Sequence, residues 1–113
     1  MSDHRHDRAY APFALVSVVV PTYNERENLR PLAERLFAAV SPTRAELLIV
    51  DDNSPDGTAQ EAGGLAAHWP VRCEVRTAQR GLATAVVHGL RAARGDYIVV
   101  MDADLSHLSL IHI

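Results

Sequence analysis

The 113 residues contain no lysine; all eleven basic side chains are arginine. That removes Schiff-base chemistry, a phosphate-loop lysine and a lysine general base. It also removes the receiver-type signalling domain, which gathers acids at strand ends but needs a lysine beside them. Cys73 is the single cysteine. It has no disulfide partner within the chain and no C-x-x-C mate, so a reducing, cytoplasmic setting is expected. It lies in an alternating strand-like run and reads as a plain structural thiol. No apolar run approaches the roughly 20 residues that span a bilayer. The net charge of −3 gives no global attraction for nucleic acid. G-x-G-x-x-G after a strand, a Walker A motif, G-x-S-x-G and a Cys/His metal cluster are all missing. The first residues are polar and lack the apolar centre of a signal peptide, so 1–14 is expected to be a disordered tail, with His4 and His6 part of it.

What the chain does have is aliphatic runs that stop at acids. Tyr97-Ile98-Val99-Val100-Met101 reads as a strand buried on both faces and ends at Asp102-Ala103-Asp104. Val16 to Val20, closed by Pro21, and Glu46 to Val50, closed by Asp51-Asp52, are strands as well. Val71 to Arg76 is shorter and more polar, fit for a sheet edge. Helical spacing predicts a helix from about Glu27 to Val40, with Leu29, Leu32, Ala33, Leu36 and Val40 on one face and Pro31 in its first turn. It predicts another from Gly81 to Arg94, with Leu82, Ala85, Val86, Gly89, Leu90 and Ala93 on one face and Gly95 as its C′ residue. Thr58-Ala59-Gln60-Glu61 has capping-box spacing and opens a helix ending near His68-Trp69-Pro70, weakened by Gly63-Gly64. The alternation predicts an α/β fold: a parallel sheet in strand order 3-2-1-4 with helices on both faces. Pro21 to Glu25, Asp51-Asp52 and Asp102 to Asp104 then meet at the C-terminal strand ends, where open sheets bind ligands.

Asp102 and Asp104, two apart in an extended stretch, point the same way and suit one hard cation, Mg2+ or Mn2+. Such an ion completes its shell with substrate phosphates, which points to a nucleotide-sugar; an acidic turn is the plainer alternative. Asp51 is expected to face the crevice and accept hydrogen bonds from a base or ribose, with Asp52 supporting the loop. Helix capping and the Ser54-Pro55 turn are competing uses for these acids. Tyr23 can stack on a base and Glu25 can hold a base or ribose group, while Asn24 as an N-cap explains the same segment without a ligand. Arg80, before a helix start of small residues, can take an anion there, with a solvated side chain as the plainer reading; His88 reads as a half-buried packing residue, and His107 as either a site neighbour or an exposed loop residue.

Val18-Val19-Val20-Pro21-Thr22-Tyr23-Asn24-Glu25-Arg26-Glu27-Asn28-Leu29 resembles the opening of family 2 glycosyltransferases. Asp51 to Thr58, His88-Gly89 and Met101-Asp102-Ala103-Asp104-Leu105-Ser106-His107 make the likeness closest to the dolichol-phosphate (polyprenol-phosphate) mannosyltransferases. The resemblance covers Val16 to His107, roughly the nucleotide-binding half of that family's catalytic domain. It implies a GT-A fold and transfer of mannose from GDP-mannose to a polyprenyl phosphate with inversion at the anomeric carbon. Carried over, Pro21, Tyr23, Glu25, Ile49 and Asp51 contact the nucleotide. Asp102, Ala103 and Asp104 contact the diphosphate-sugar, with Asp102 and Asp104 on Mg2+ or Mn2+. The implied location is peripheral, at the cytoplasmic face of a membrane, with membrane contact through parts absent here. Ala83 stands where the family usually has a second glycine, and Ser106 where some members carry Gln. Residues 15–107 are thus expected to be the nucleotide-sugar-binding part and 108–113 an atypical, foreign or truncated end. The fragment alone is expected to have little transferase activity. Another donor or acceptor, or an inactive nucleotide-binding fragment, are the alternatives.

Overall fold

The computed structural model describes residues 14–78, 80–104 and 108–112. The expected tail, up to residue 13, and the readings of Ser106 and His107 lie outside those residues. Four parallel strands, β1 (Val16–Thr22), β2 (Ala45–Asp51), β3 (Val71–Val75) and β4 (Tyr97–Met101), stand in the order β3-β2-β1-β4. This is the expected order, with β3 at the edge. A fifth strand, β5 (Leu108–His112), adds antiparallel to β4 in the register Met101↔Leu108 to Tyr97↔His112. The sequence pattern predicts no strand there; pairing covers the hydrogen-bonding edge that β4 otherwise presents.

Three helices connect the parallel strands: α1 (Arg26–Ala39), α2 (Thr58–Leu65) and α3 (Leu82–Ala92). Strand alternation sorts the core into two layers. Val18, Val20, Leu47 and Ile49 pack with Leu29, Leu32 and Ala33 of α1 and Ala62 and Leu65 of α2. Val19, Leu48, Val50 and Ile98 pack on the other face with Ala85 of α3. Two consecutive crossovers on one face and a third on the other are what right-handed connections require when the strand order reverses after β3. Phe37 and Trp69 stack at 6.0 Å outside the first layer and tie α1 to the segment after α2.

Several local expectations are corrected. β4 is only half buried: Ile98 is enclosed, but Val99, Val100 and Met101 are partly open and Tyr97 is exposed. A cavity of about 250 Å³ between α1 and Met101, lined by Leu32, Leu36 and Ala39, accounts for part of that opening. Leu82 is 66% exposed and lies off the apolar face assigned to it. Pro31 sits inside α1, beyond its first turn; its ring removes the N–H that would reach the carbonyl of Glu27, an exposed residue that water can serve. Thr58 is not a cap. Gly57, at φ 89°, takes the N-cap position, and the Thr58 N–H donates to Asp56 Oδ1 at 3.0 Å. Gly95 is not a left-handed C′ residue; a Cβ there would lie 2.7 Å from Leu15 O and from Ser17 N, so it serves the close approach of the chain to β1.

The N-terminal end of the sheet is closed by a buried carboxylate, Glu46, that the sequence pattern does not mark. Glu46 Oε2 accepts from the Ser17 hydroxyl at 2.6 Å and the Arg94 N–H at 2.8 Å, while Oε1 accepts from Arg72 Nη2 at 2.9 Å. Burial raises its pKa, but these donors outweigh it and hold the carboxyl below its ordinary 4.5.

Candidate functional site

The loops at the opposite, C-terminal end are laced together. The last residue of β2, Asp51, belongs by alternation to the α1/α2 face and the next acid, Asp52, to the α3 face. Asp51 is fully buried. Its Oδ1 accepts from Thr22 Oγ1 at 2.7 Å and Ser54 Oγ at 2.6 Å, and its Oδ2 accepts from the Ser54 N–H at 2.9 Å. It therefore organises its own loop and joins it to β1. Asp52 goes to the other face, where it pairs with Arg76 at 2.6 Å and accepts the Gly81 N–H at 3.0 Å. It does support a loop, as expected, but the one before α3.

The loop after β1 leans on the loop after β2. The Asn24 N–H donates to Ser54 Oγ at 2.8 Å, the Glu25 N–H to Thr58 Oγ1 at 3.2 Å and the Arg26 N–H to Asp56 Oδ2 at 3.2 Å. Asn24 is not the N-cap: it sits at φ 55°, a left-handed conformation that asparagine tolerates, and Glu25 occupies the cap position. Asp56, in the loop after β2, supplies the side-chain acceptor to the first turn. The Thr58 hydroxyl, with the Arg26 and Thr58 amides, holds the Asp56 carboxyl below its usual value against the opposing effect of desolvation. Pro21 and Glu25 are half-buried and Tyr23 is exposed. The guanidinium carbon of Arg80 lies 5.2 Å from the centre of the Tyr23 ring, so Arg80 is stacked rather than simply solvated. Outside this loop a cavity of about 440 Å³ is lined by Asn24, Glu25, Glu27, Asn28 and Asp56.

β4 delivers the acidic pair to the same edge. Its register on β1, Val19↔Val100, continued by two residues, sets Asp102 opposite Pro21. Asp102 is half-buried, Ala103 is packed into the α1/α2 layer and Asp104 is exposed. Ala103 and Asp104 form a turn, so strand alternation does not orient the pair, contrary to expectation. Asp51 is separated from the pair by β1, and its oxygens are engaged by Thr22 and Ser54. The direct nucleotide contacts expected of Ile49 and Asp51 need surface that both residues bury here, each 0% exposed. Among the described residues no three His, Cys, Asp or Glu side chains gather into a metal cage. Two neighbouring carboxylates on an accessible turn nevertheless fit Mg2+ or Mn2+, which bind through one or two carboxylates and take the rest of their shell from water and substrate phosphate.

A family model described as glycosyl transferase family 2 matches residues 17–109. The chain belongs to that family. Two curated relatives carry the name dolichol-phosphate mannosyltransferase. The Saccharomyces cerevisiae protein is 52% identical over 95 residues, which are 80% of this chain and 36% of that protein. The Pyrococcus furiosus protein is 49% identical over 92 residues, 81% of this chain and 26% of that protein. The family 2 chain thus spans about a quarter to a third of the length of these relatives. A mannosyltransferase from Pyrobaculum calidifontis, solved in complex with GDP-Man and Mn2+, superposes with a TM-score of 0.72 at 28% identity, over 88% of this chain and 32% of that one. The sheet and helices are accordingly those of a GT-A glycosyltransferase.

Proposed function

We propose that this glycosyltransferase segment binds GDP-mannose and forms the donor half of an enzyme that transfers mannose to a polyprenyl phosphate with inversion. The observation that carries the reading is the meeting, at one sheet edge, of the Pro21–Glu25 loop, the Asp51–Ser54 loop and the Asp102–Asp104 turn. The relatives' names supply the sugar and the lipid, and the neighbour's GDP-Man and Mn2+ support the nucleotide and the cation.

Pro21, Tyr23 and Glu25 border the nucleotide, above Ile49 and Asp51. Asp51 reaches a base or ribose donor by exchanging the Ser54 hydroxyl for it. Asp102 and Asp104, with Ala103 anchoring the turn between them, hold Mg2+ or Mn2+ against the diphosphate. When bound, the cation neutralises charge on the departing nucleoside diphosphate. The acceptor phosphate is anionic near neutral pH, so the chain has little need of a strong general base. The cytoplasmic face of a membrane, where a lipid phosphate is presented, is the location this activity calls for.

Titration calorimetry tests the reading. The chain should bind GDP-mannose in the presence of MnCl2, more tightly than UDP-glucose and more tightly than in EDTA. Asp102→Ala with Asp104→Ala should abolish the manganese dependence. Undiminished affinity in that double variant, or equal affinity for the two donors, refutes the proposal.

A further inference from the structure

Among the described residues an arginine–carboxylate network stands at each end of this sheet, partly buried at Arg72 and buried at Arg76, and the second borders the crevice. At the far end Arg72 serves Glu46. At the crevice end Arg76 is 7% exposed and Asp52 9%. Arg76 Nε and Nη2 meet Asp52 Oδ1 at 2.8 and 2.6 Å, Nη1 donates to Thr84 Oγ1 at 2.9 Å, and Nη2 also donates to the Gly81 carbonyl at 3.0 Å. Asp52 Oδ2 accepts the Gly81 N–H at 3.0 Å. Gly81 is therefore clasped at both of its polar backbone atoms, at φ 115° and ψ 150°, a conformation open essentially to glycine alone. Backbone bonds extend the clasp: the Asp52 N–H donates to Thr22 O at 3.0 Å and the Arg76 N–H to Asp51 O at 2.7 Å. The ends of β1, β2 and β3 are thereby joined to the start of α3. The residue before the clasped glycine is Arg80, whose guanidinium lies against Tyr23.

We infer that Asp52 and Arg76 are positioning residues for donor binding, fixing the Arg80–Gly81 turn so that Arg80 stands at the wall of the nucleotide site beside Tyr23. The inference rests on the nucleotide-sugar reading above. Neither residue needs to touch the donor. A guanidinium holds Asp52, Gly81 and Thr84 at once because its donors are fixed in a plane; an ammonium supplies the charge without that fork. Breaking a buried ion pair is destabilising wherever it lies, so loss of stability alone does not distinguish positioning from structural support. The Arg72–Glu46 network, elsewhere on the same two strands, is the control.

The test compares Arg76→Met, Arg76→Lys, Asp52→Asn and Arg72→Met in the full chain. Thermal midpoints come from circular dichroism, and GDP-mannose affinity with MnCl2 from calorimetry at a temperature where each variant is folded. All four should melt lower than the unsubstituted chain. Arg76→Met and Asp52→Asn should also weaken donor binding at least about tenfold, the scale of one lost hydrogen bond to a charged group. Arg76→Lys should recover part of the affinity, and Arg72→Met should leave it within about twofold of the parent. Should Arg76→Met fail to fold, Arg76→Lys and Asp52→Asn against Arg72→Met give the same comparison. Equal weakening by Arg72→Met, or parental affinity in the Arg76 and Asp52 variants, overturns the inference while leaving the donor reading intact. Failure of the unsubstituted chain to bind either GDP-mannose or UDP-glucose overturns both.

Discussion

Gly89 lets α3 lie close against Val19 of β1, and replacing it with alanine tests how tightly that layer is packed. A Cβ at Gly89 would lie 2.3 Å from Val19 Cγ1 and 3.3 Å from Cγ2, both on a fully buried side chain. Contact between carbons is comfortable near 3.5–4.0 Å, so either the helix lifts by about 1 Å or Val19 leaves its rotamer. Overpacking of this kind costs about 1–3 kcal/mol, and the depth of the overlap puts Gly89→Ala near the top of that range. Alanine returns about 1 kcal/mol as the better helix former, leaving a net loss of about 2 kcal/mol. Urea unfolding followed by far-ultraviolet circular dichroism and Trp69 fluorescence measures it as a lower midpoint at unchanged slope. Two controls sharpen the result. Gly63 and Gly64 of α2 have nothing within 4 Å of a built Cβ, so alanine at either should stabilise by about 0.5–1 kcal/mol. Val19→Ala removes the clashing methyls, so the double variant with Gly89→Ala should be more stable than the sum of the single changes by about 1–3 kcal/mol. If Gly89→Ala stabilises as Gly63→Ala does, or the cycle shows no coupling, the close approach of α3 to β1 is wrong.

Glu46 gives a pH signature. Its folded pKa lies below 4.5, so the stability it contributes is fully present above that value and is lost as pH falls through the lowered one. Acid titration of stability should fall less steeply below pH 4.5 in Glu46→Gln, and identical acid limbs would refute the assignment. Cys73 is partly buried, and burial together with the nearby Asp51 and Glu74 carboxylates pushes its thiol up to about 11. At pH 8 it should react with a disulfide reagent far more slowly than it does in urea; equal rates would show the thiol to be open.

The parts of this molecule that could be read from the chain are those in which one residue type does one local job. Continuous aliphatic runs and an apolar stripe at helical spacing gave the four strands and the three helices, because burial needs only those patterns, and right-handed crossovers gave the strand order. The acids at the strand ends were legible for the same reason: a charge directly after a buried run has to sit at the sheet's edge. What stayed hidden is the division of labour between those acids. Asp51 reads as the ligand-facing one, but its oxygens are also engaged by Thr22 and Ser54, and nothing local tells that the acid which would meet a substrate ties a loop as well. Arg76 reads from the sequence only as the end of a polar edge strand, but it is buried against Asp52. A signal for that pair was nonetheless present. Two consecutive acids leaving a central strand must point to opposite faces, and the one directed under α3 needs a cation in the same layer. The register Asp51↔Val75 brings Arg76 level with Asp52. Strand order with register therefore identifies the partner that composition and periodicity leave unmatched. It also accounts for Gly81: with both acceptor and donor of the ion pair already fixed below it, the chain can reach α3 only by bending through a conformation that no side chain permits.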